Sequence, residues 1–210
     1  MLVVAAQETR SLPDRFVTDR IPRPEDGEII FVHMLRFRDF ERFSASGLAF
    51  SSDDEPDVVR LVYQAAGYEY PAKQGFASAT AYIRETISGQ TTQAAFGEGS
   101  RCGLILDPAM IGARTIIFNG DLGRLGSGLS AGTINPKSIV AFKADEGDLI
   151  TQLRKLHKNN KYPQADPRLR GNAFEARICG GIRLMDCAGV LVPSWNDLEA
   201  QQIGNLIARS

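Results

Sequence analysis

The chain is poor in the residues that most often carry metal or redox chemistry. Its 210 residues include three cysteines, Cys102, Cys179 and Cys187, with no Cys-x-x-Cys pair among them. An odd, scattered set gives neither a disulfide framework nor a thiolate zinc site, and fits a reducing compartment. The only histidines are His33 and His157, so a multi-histidine metal centre is not expected. No apolar run approaches the roughly 20 residues that a membrane-spanning helix needs. The N-terminal run lacks a basic flank and is short for a secretory signal, so the expectation is a cytoplasmic protein with no membrane partner. Neither charge dominates: 24 Lys and Arg stand against 25 Asp and Glu, leaving no overall field toward nucleic acid or lipid.

What is present suits one globular domain over 1–210, with 43% hydrophobic residues and an irregular, proline-containing lead-in over 1–27. Charge is uneven locally. From Thr151 to Met185 eight basic residues face two acids, Asp166 and Glu175, an excess able to attract phosphates. A solvated charged face is the commoner meaning of such a run.

Periodicity predicts mixed α+β structure, helices early and strands late. Glu28–Leu35 reads as a strand rich in β-branched and aromatic residues, with His33 near its end. Arg38–Ser46 reads as a short helix, with Phe40 and Phe43 on one face and a stop at Gly47. Further helices are expected from Pro56 to Ala66 and from Ala77 to Ser88, the latter with Ala81, Tyr82 and Glu85 on one side. Gly103–Leu106 is a strand ending in a turn at Asp107-Pro108, and Arg114–Phe118 is another.

Residues 119–133 hold five glycines, able to cradle phosphate through backbone N–H groups. They lack the Gly-Lys-Ser/Thr ending of a P-loop, and a surface loop is the plainer reading. Ser138–Lys143 is a strand. Asp145–Lys158 is a helix with Asp148 as its cap and Leu149, Leu153 and Leu156 on one face. A terminal helix follows Pro193, with Leu198, Ile203 and Ile207 inward.

The stretch Phe174–Pro193 carries the main chemical candidate. Phe174, Ala176 and Ile178 alternate with Glu175, Arg177 and Cys179, the period of a strand. Gly180-Gly181 breaks it, and Gly189–Val192 is a second apolar run. If Phe174 and Ala176 face the core, Glu175 faces a cleft or solvent. By residue type alone a surface carboxylate is the ordinary outcome. His33 by itself reads as a satisfied core or edge histidine, His157 as an exposed one, and the cysteines as buried structural thiols.

Two stretches together resemble a family. His33–Leu48, a strand ending in His, a short helix and a closing Gly47-Leu48, resembles the opening of ADP-ribosyltransferase folds, and most closely DarT-type toxins that modify thymidine in single-stranded DNA. Glu175-Ala176-Arg177-Ile178 resembles the strand that carries their catalytic Glu, and Gly189–Ser194 the strand after it. The resemblance covers about forty residues at the two ends of the chain.

It implies an α+β fold of split antiparallel sheets with N-terminal helices. Glu175 would be catalytic, and His33, Leu35, Arg36, Gly47, Leu48 and Arg60 would lie in the NAD site. Arg84 and Arg101 compete with Arg60 for the middle Arg of that family. NAD would be a substrate and no metal would be needed. The acceptor would be nucleic acid, single-stranded DNA before RNA, and a toxin would imply an antitoxin or immunity partner. The middle departs from the pattern: Leu104–Pro108 stands where an aromatic strand is usual. An NAD glycohydrolase, a protein-targeting transferase, and a non-catalytic module gripping an anionic polymer through 154–170 remain as alternatives.

Overall fold

The computed structural model describes residues 15–49, 57–71, 75–87, 101–120, 122, 139–159, 174–192 and 198–210. Its strands are β1 (Phe16–Thr18), β2 (Ile30–Arg36), β3 (Leu48–Ala49), β4 (Phe76–Tyr82), β5 (Arg101–Leu106), β6 (Thr115–Phe118), β7 (Ala141–Lys143), β8 (Phe174–Cys179), β9 (Ile182–Arg183) and β10 (Cys187–Leu191). The helices are α1 (Phe37–Ser46), α2 (Asp57–Ala65), α3 (Pro108–Ile111), α4 (Leu149–Lys158) and α5 (Leu198–Arg209). None of these helices is long and apolar enough to cross a membrane.

Eight strands form one sheet in the order β1-β10-β5-β2-β4-β8-β6-β7, and β3 pairs with β9. The β1–β10 contact is parallel; the other neighbours run antiparallel. The fold is therefore mixed α+β around a large, mostly antiparallel sheet. Where two split sheets are expected, the ladder is continuous, but its central join is short. β2 and β4 pair only over Ile30–Val32 and Thr80–Tyr82. Beyond that point β2 keeps β5 as its partner and β4 keeps β8.

Alternation along the strands divides the sheet into two faces. On one face Phe31, Ala79, Ala81, Phe174 and Ala176 meet Phe40 and Phe43 of α1, Leu153 of α4 and Ile207 of α5. This is the larger core. On the other face α2 lays Val59, Val62 and Tyr63 over Phe118, Leu122 and Ile139 at the β6–β7 end. Val32, Tyr82 and Leu191 form a smaller cluster toward β10.

Several elements differ from the sequence reading. Ala77–Ser88 is not a helix: residues 76–82 are β4, and 84–86 form a turn. Alanine favours helix, but Ala77, Ala79 and Ala81 alternate with Ser78, Thr80 and Tyr82, and pairing with β2 and β8 decides the outcome. Helices and strands are therefore interleaved rather than segregated. The lead-in contains β1, which lies along the edge of β10. Phe16 covers Gly189 so closely that an added Cβ there would sit 2.7 Å from its ring.

Asp107 caps the short α3 instead of ending in a turn, accepting from the Ala109 N–H at 2.9 Å. α4 starts at Leu149, and Asp148 stands at its cap position without a side-chain cap bond; its Oδ1 instead accepts from Gln152 Nε2 at 2.7 Å. On α5, Ile207 is buried and Ile203 partly so, but Leu198 is 70% exposed, with Ala200 and Gly204 taking the inward positions.

Candidate functional site

Glu175 is the second residue of β8, opposite Thr80 of β4 on one side and Phe118 of β6 on the other. It is only 8% exposed, so a surface position does not describe it. The physical reason is non-local: α2 packs on Phe118 beside it, and Leu122 closes over it. Glu175 Oε2 accepts the Leu122 backbone N–H. Its Oε1 lies 2.5 Å from Nε of Arg177, two residues on and on the same face. This is an ion contact rather than an aligned hydrogen bond. Arg177 is 3% exposed, and its guanidinium lies 4.4 Å from the centroid of the Phe76 ring. A buried charge survives only when paired and hydrogen-bonded, and here each ion supplies part of the other's compensation.

In front of Glu175 is a cavity of about 200 Å³, lined also by Val32 and Met34 of β2 and by Ser78 and Thr80 of β4. It spans the region where β2 and β4 part. The carboxylate is therefore fixed in direction and faces a space large enough for a ring-sized group.

His33 sits on β2 one residue past the last β2–β4 pair. Its Nδ1 bonds the Ser78 carbonyl of β4. Burial holds the imidazole below its ordinary pKa of 6.5, with that carbonyl and Asp39 opposing the shift. The neutral ring, donating through Nδ1, leaves Nε2 as a bare acceptor. Nε2 is buried and has no hydrogen-bond partner among the described residues. By register, however, His33 shares the face of Phe31 and Leu35, whereas Glu175 is on the face of Thr80 and Val32. The structure places the two on strands either side of β4, without a contact between them.

The other candidates are spread out. Leu35 is in the main core, and Arg36 is exposed where β2 meets α1. Gly47 ends α1 in the left-handed region at φ 68°, its N–H bonded to the Phe43 carbonyl at 2.7 Å. Leu48 is half-exposed on β3, opposite Arg183. Arg60 is exposed on α2, 5.2 Å from the Tyr70 ring centroid. Arg84 is exposed in the turn after β4, and Arg101 stands opposite Arg36 in register.

Two features escape the sequence reading. Arg177 is one, although the i, i+2 spacing from Glu175 on a strand already puts both on one face. The other is a clamp behind the β8–β9 turn. Arg114 donates to the Cys179 carbonyl at 3.0 Å and to the Gly181 carbonyl, and it pairs with Asp186, which also accepts from the Arg183 N–H at 2.6 Å. It holds Gly180 and Gly181, both at positive φ, and so fixes the end of the strand that carries Glu175. No local pattern announces a contact across 72 residues.

Of the basic stretch, Arg154 is held by Asp26 and by Glu85, the latter at 2.7 Å, while Lys155 and Lys158 are exposed. Residues 160–173, like most of the glycine-rich 119–133 segment, lie outside the described residues. His157 is half-buried rather than exposed. Cys102 and Cys187 are buried, Cys179 is half-buried, and burial pushes the Cys187 thiol up to about 12. No cluster of His, Cys, Asp and Glu among the described residues could hold a metal ion.

No family model matches the chain, and searches of the curated proteins and of the solved structures find no match.

Proposed function

We propose that this chain is an NAD-dependent ADP-ribosyltransferase in which Glu175 is the catalytic carboxylate. The observation that carries the reading is a buried glutamate, fixed by Arg177 and the Leu122 N–H, facing a cavity of about 200 Å³ where the central sheet begins to part. The proximity of the two stretches that resemble the family adds support. β3, just after Gly47, pairs with β9, just after the Glu175 strand, and the Leu184 N–H donates to the Gly47 carbonyl at 2.9 Å. The short β2–β4 join is compatible with the split sheets of that fold.

In this reading the bond from ribose C1′ to the nicotinamide nitrogen breaks with its electron pair leaving on nicotinamide. The ribose passes through an oxocarbenium-like state, as in glycoside cleavage. Glu175 steadies the positive charge and orients a ribose hydroxyl or receives the acceptor's proton. The acceptor's nucleophile forms the new bond to C1′. His33 Nε2 accepts a ribose hydroxyl. The acceptor class, nucleic acid and single-stranded DNA before RNA, rests on the resemblance alone, as does an antitoxin partner. Water in place of the acceptor makes the same site a glycohydrolase. The non-catalytic alternative would use the 154–170 stretch, of which Arg154 is already committed to Asp26 and Glu85.

The test is incubation of the purified chain with labelled NAD, alone and with single-stranded DNA, RNA or lysate, beside Glu175→Gln. Nicotinamide release with label on one polymer, lost in the variant, supports transfer and names the acceptor. Release without label supports hydrolysis, and no turnover under any condition removes the enzyme reading.

A further inference from the structure

A second cavity, of about 290 Å³, lies on the other side of the Glu175–Arg177 pair. Its floor is one cross-strand row: Arg177 of β8, Ile116 of β6 and Lys143 of β7 stand opposite one another in register. Neighbouring strands are about 4.8 Å apart, so the Arg177 and Lys143 backbones are separated by roughly 10 Å across Ile116. Both side chains are long enough to lean over that apolar residue toward a shared group. Tyr63 and Pro71 bound one wall, and Arg114 and Glu69 also line the space.

The charges on this wall are unequal. Three cations, Arg114, Lys143 and Arg177, face the cavity with one carboxylate, Glu69. The acids that balance two of them, Asp186 for Arg114 and Glu175 for Arg177, do not line it. Lys143 makes no ion pair with any described residue, and its side chain is exposed. Arg177 is held in place by the Phe76 ring and by Glu175, so little rotamer freedom is lost when it meets a ligand. The apolar Ile116 floor keeps the local dielectric low and strengthens a charge-assisted bond.

We propose that this cavity binds a small oxyanion, a phosphate or carboxylate head, between Lys143 and Arg177. Binding of the anion stands on its own geometry. Its use as the acceptor subsite, joined to the reacting centre through the Arg177–Glu175 contact, rests on the transferase reading above.

The experiment is calorimetric titration of the full chain at low ionic strength with inorganic phosphate and, separately, with acetate. Saturable binding of one probe over the other identifies the head group. Lys143→Ala weakens binding about tenfold, the loss of one charge-assisted contact. Glu69→Gln tightens it by removing the one carboxylate that lines the cavity, and Lys155→Ala, an exposed position outside the cavity lining, leaves it unchanged. Absence of saturable binding by either probe overturns the proposal, as does wild-type affinity in Lys143→Ala or equal weakening in Lys155→Ala. Anion binding that persists while NAD turnover fails keeps this site and removes the transferase reading. NAD turnover without anion binding does the reverse.

Discussion

Replacing Arg177 with Met is the sharpest test of the Glu175 geometry. The change keeps the length of the stem and removes the guanidinium. Glu175, 8% exposed, is then a buried charge with only the Leu122 N–H beside it among the contacts named above. Breaking a buried pair from one side costs about 3–5 kcal/mol, and losing the stack on Phe76 adds up to about 1 kcal/mol. Glu175→Leu takes the carboxylate away from the buried guanidinium and costs a similar amount. In the double variant neither ion remains, and two apolar side chains of similar size fill the space. Its main residual cost is the Leu122 N–H without an acceptor, about 1–3 kcal/mol. The double variant should therefore be more stable than either single one, with a coupling energy of about 3 kcal/mol or more. Urea unfolding followed by circular dichroism measures all four corners of the cycle. Additive losses, or an Arg177→Met cost below about 1 kcal/mol, would refute a buried, mutually compensating pair.

Three other outcomes follow from the same structure. Glu175→Gln, near-isosteric and still able to accept the Leu122 N–H, should retain a cooperative thermal transition while lowering NAD turnover by about 100-fold or more; full turnover in a folded variant removes Glu175 from the chemistry. Because burial lowers the folded-state pKa of His33 below 6.5, the unfolded chain takes up a proton first. Stability is then fully present above 6.5 and is lost as pH falls below it toward the folded-state value; His33→Leu should flatten that part of a stability–pH profile, and an unchanged slope would contradict the buried neutral ring. Gly47→Ala forces a Cβ into the left-handed region and should cost about 1 kcal/mol in urea unfolding, whereas no change would mean the α1 terminus relaxes freely.

Elements with strong local signals are legible in the sequence. β2 announces itself by the run Ile29-Ile30-Phe31-Val32, α1 by Phe40, Phe43 and the Gly47 stop, and α4 by Leu149, Leu153 and Leu156. What is hidden is set by distant partners. β4 is rich in alanine and becomes a strand because β2 and β8 flank it. β1 has three residues and exists through the edge of β10, more than 170 residues later. The β8 alternation correctly places Glu175 opposite Phe174 and Ala176, but its burial depends on α2 and Leu122, which no local window contains. The pairing with Arg177 was within reach, since two residues on one strand face are neighbours by construction.

The relation of His33 to Glu175 sets a geometric condition on any shared substrate. Register places them on opposite faces, on either side of β4. A ligand confined to the Glu175 face meets Val32, Met34, Ser78 and Thr80 without reaching the imidazole. A ligand that touches both must enter the opening past Val32 and Thr80, where β2 and β4 no longer pair. On the NAD reading, a substrate hydroxyl there would supply the hydrogen-bond partner that His33 Nε2 lacks among the described residues. His33→Leu removes that acceptor while keeping an apolar side chain of comparable size. On the NAD reading its KM should rise about tenfold, the value of one hydrogen bond, with a smaller change in kcat. Unchanged KM and kcat in the folded variant would confine the substrate to the Glu175 face and make the His33–Ser78 bond a device that sets where the two strands separate.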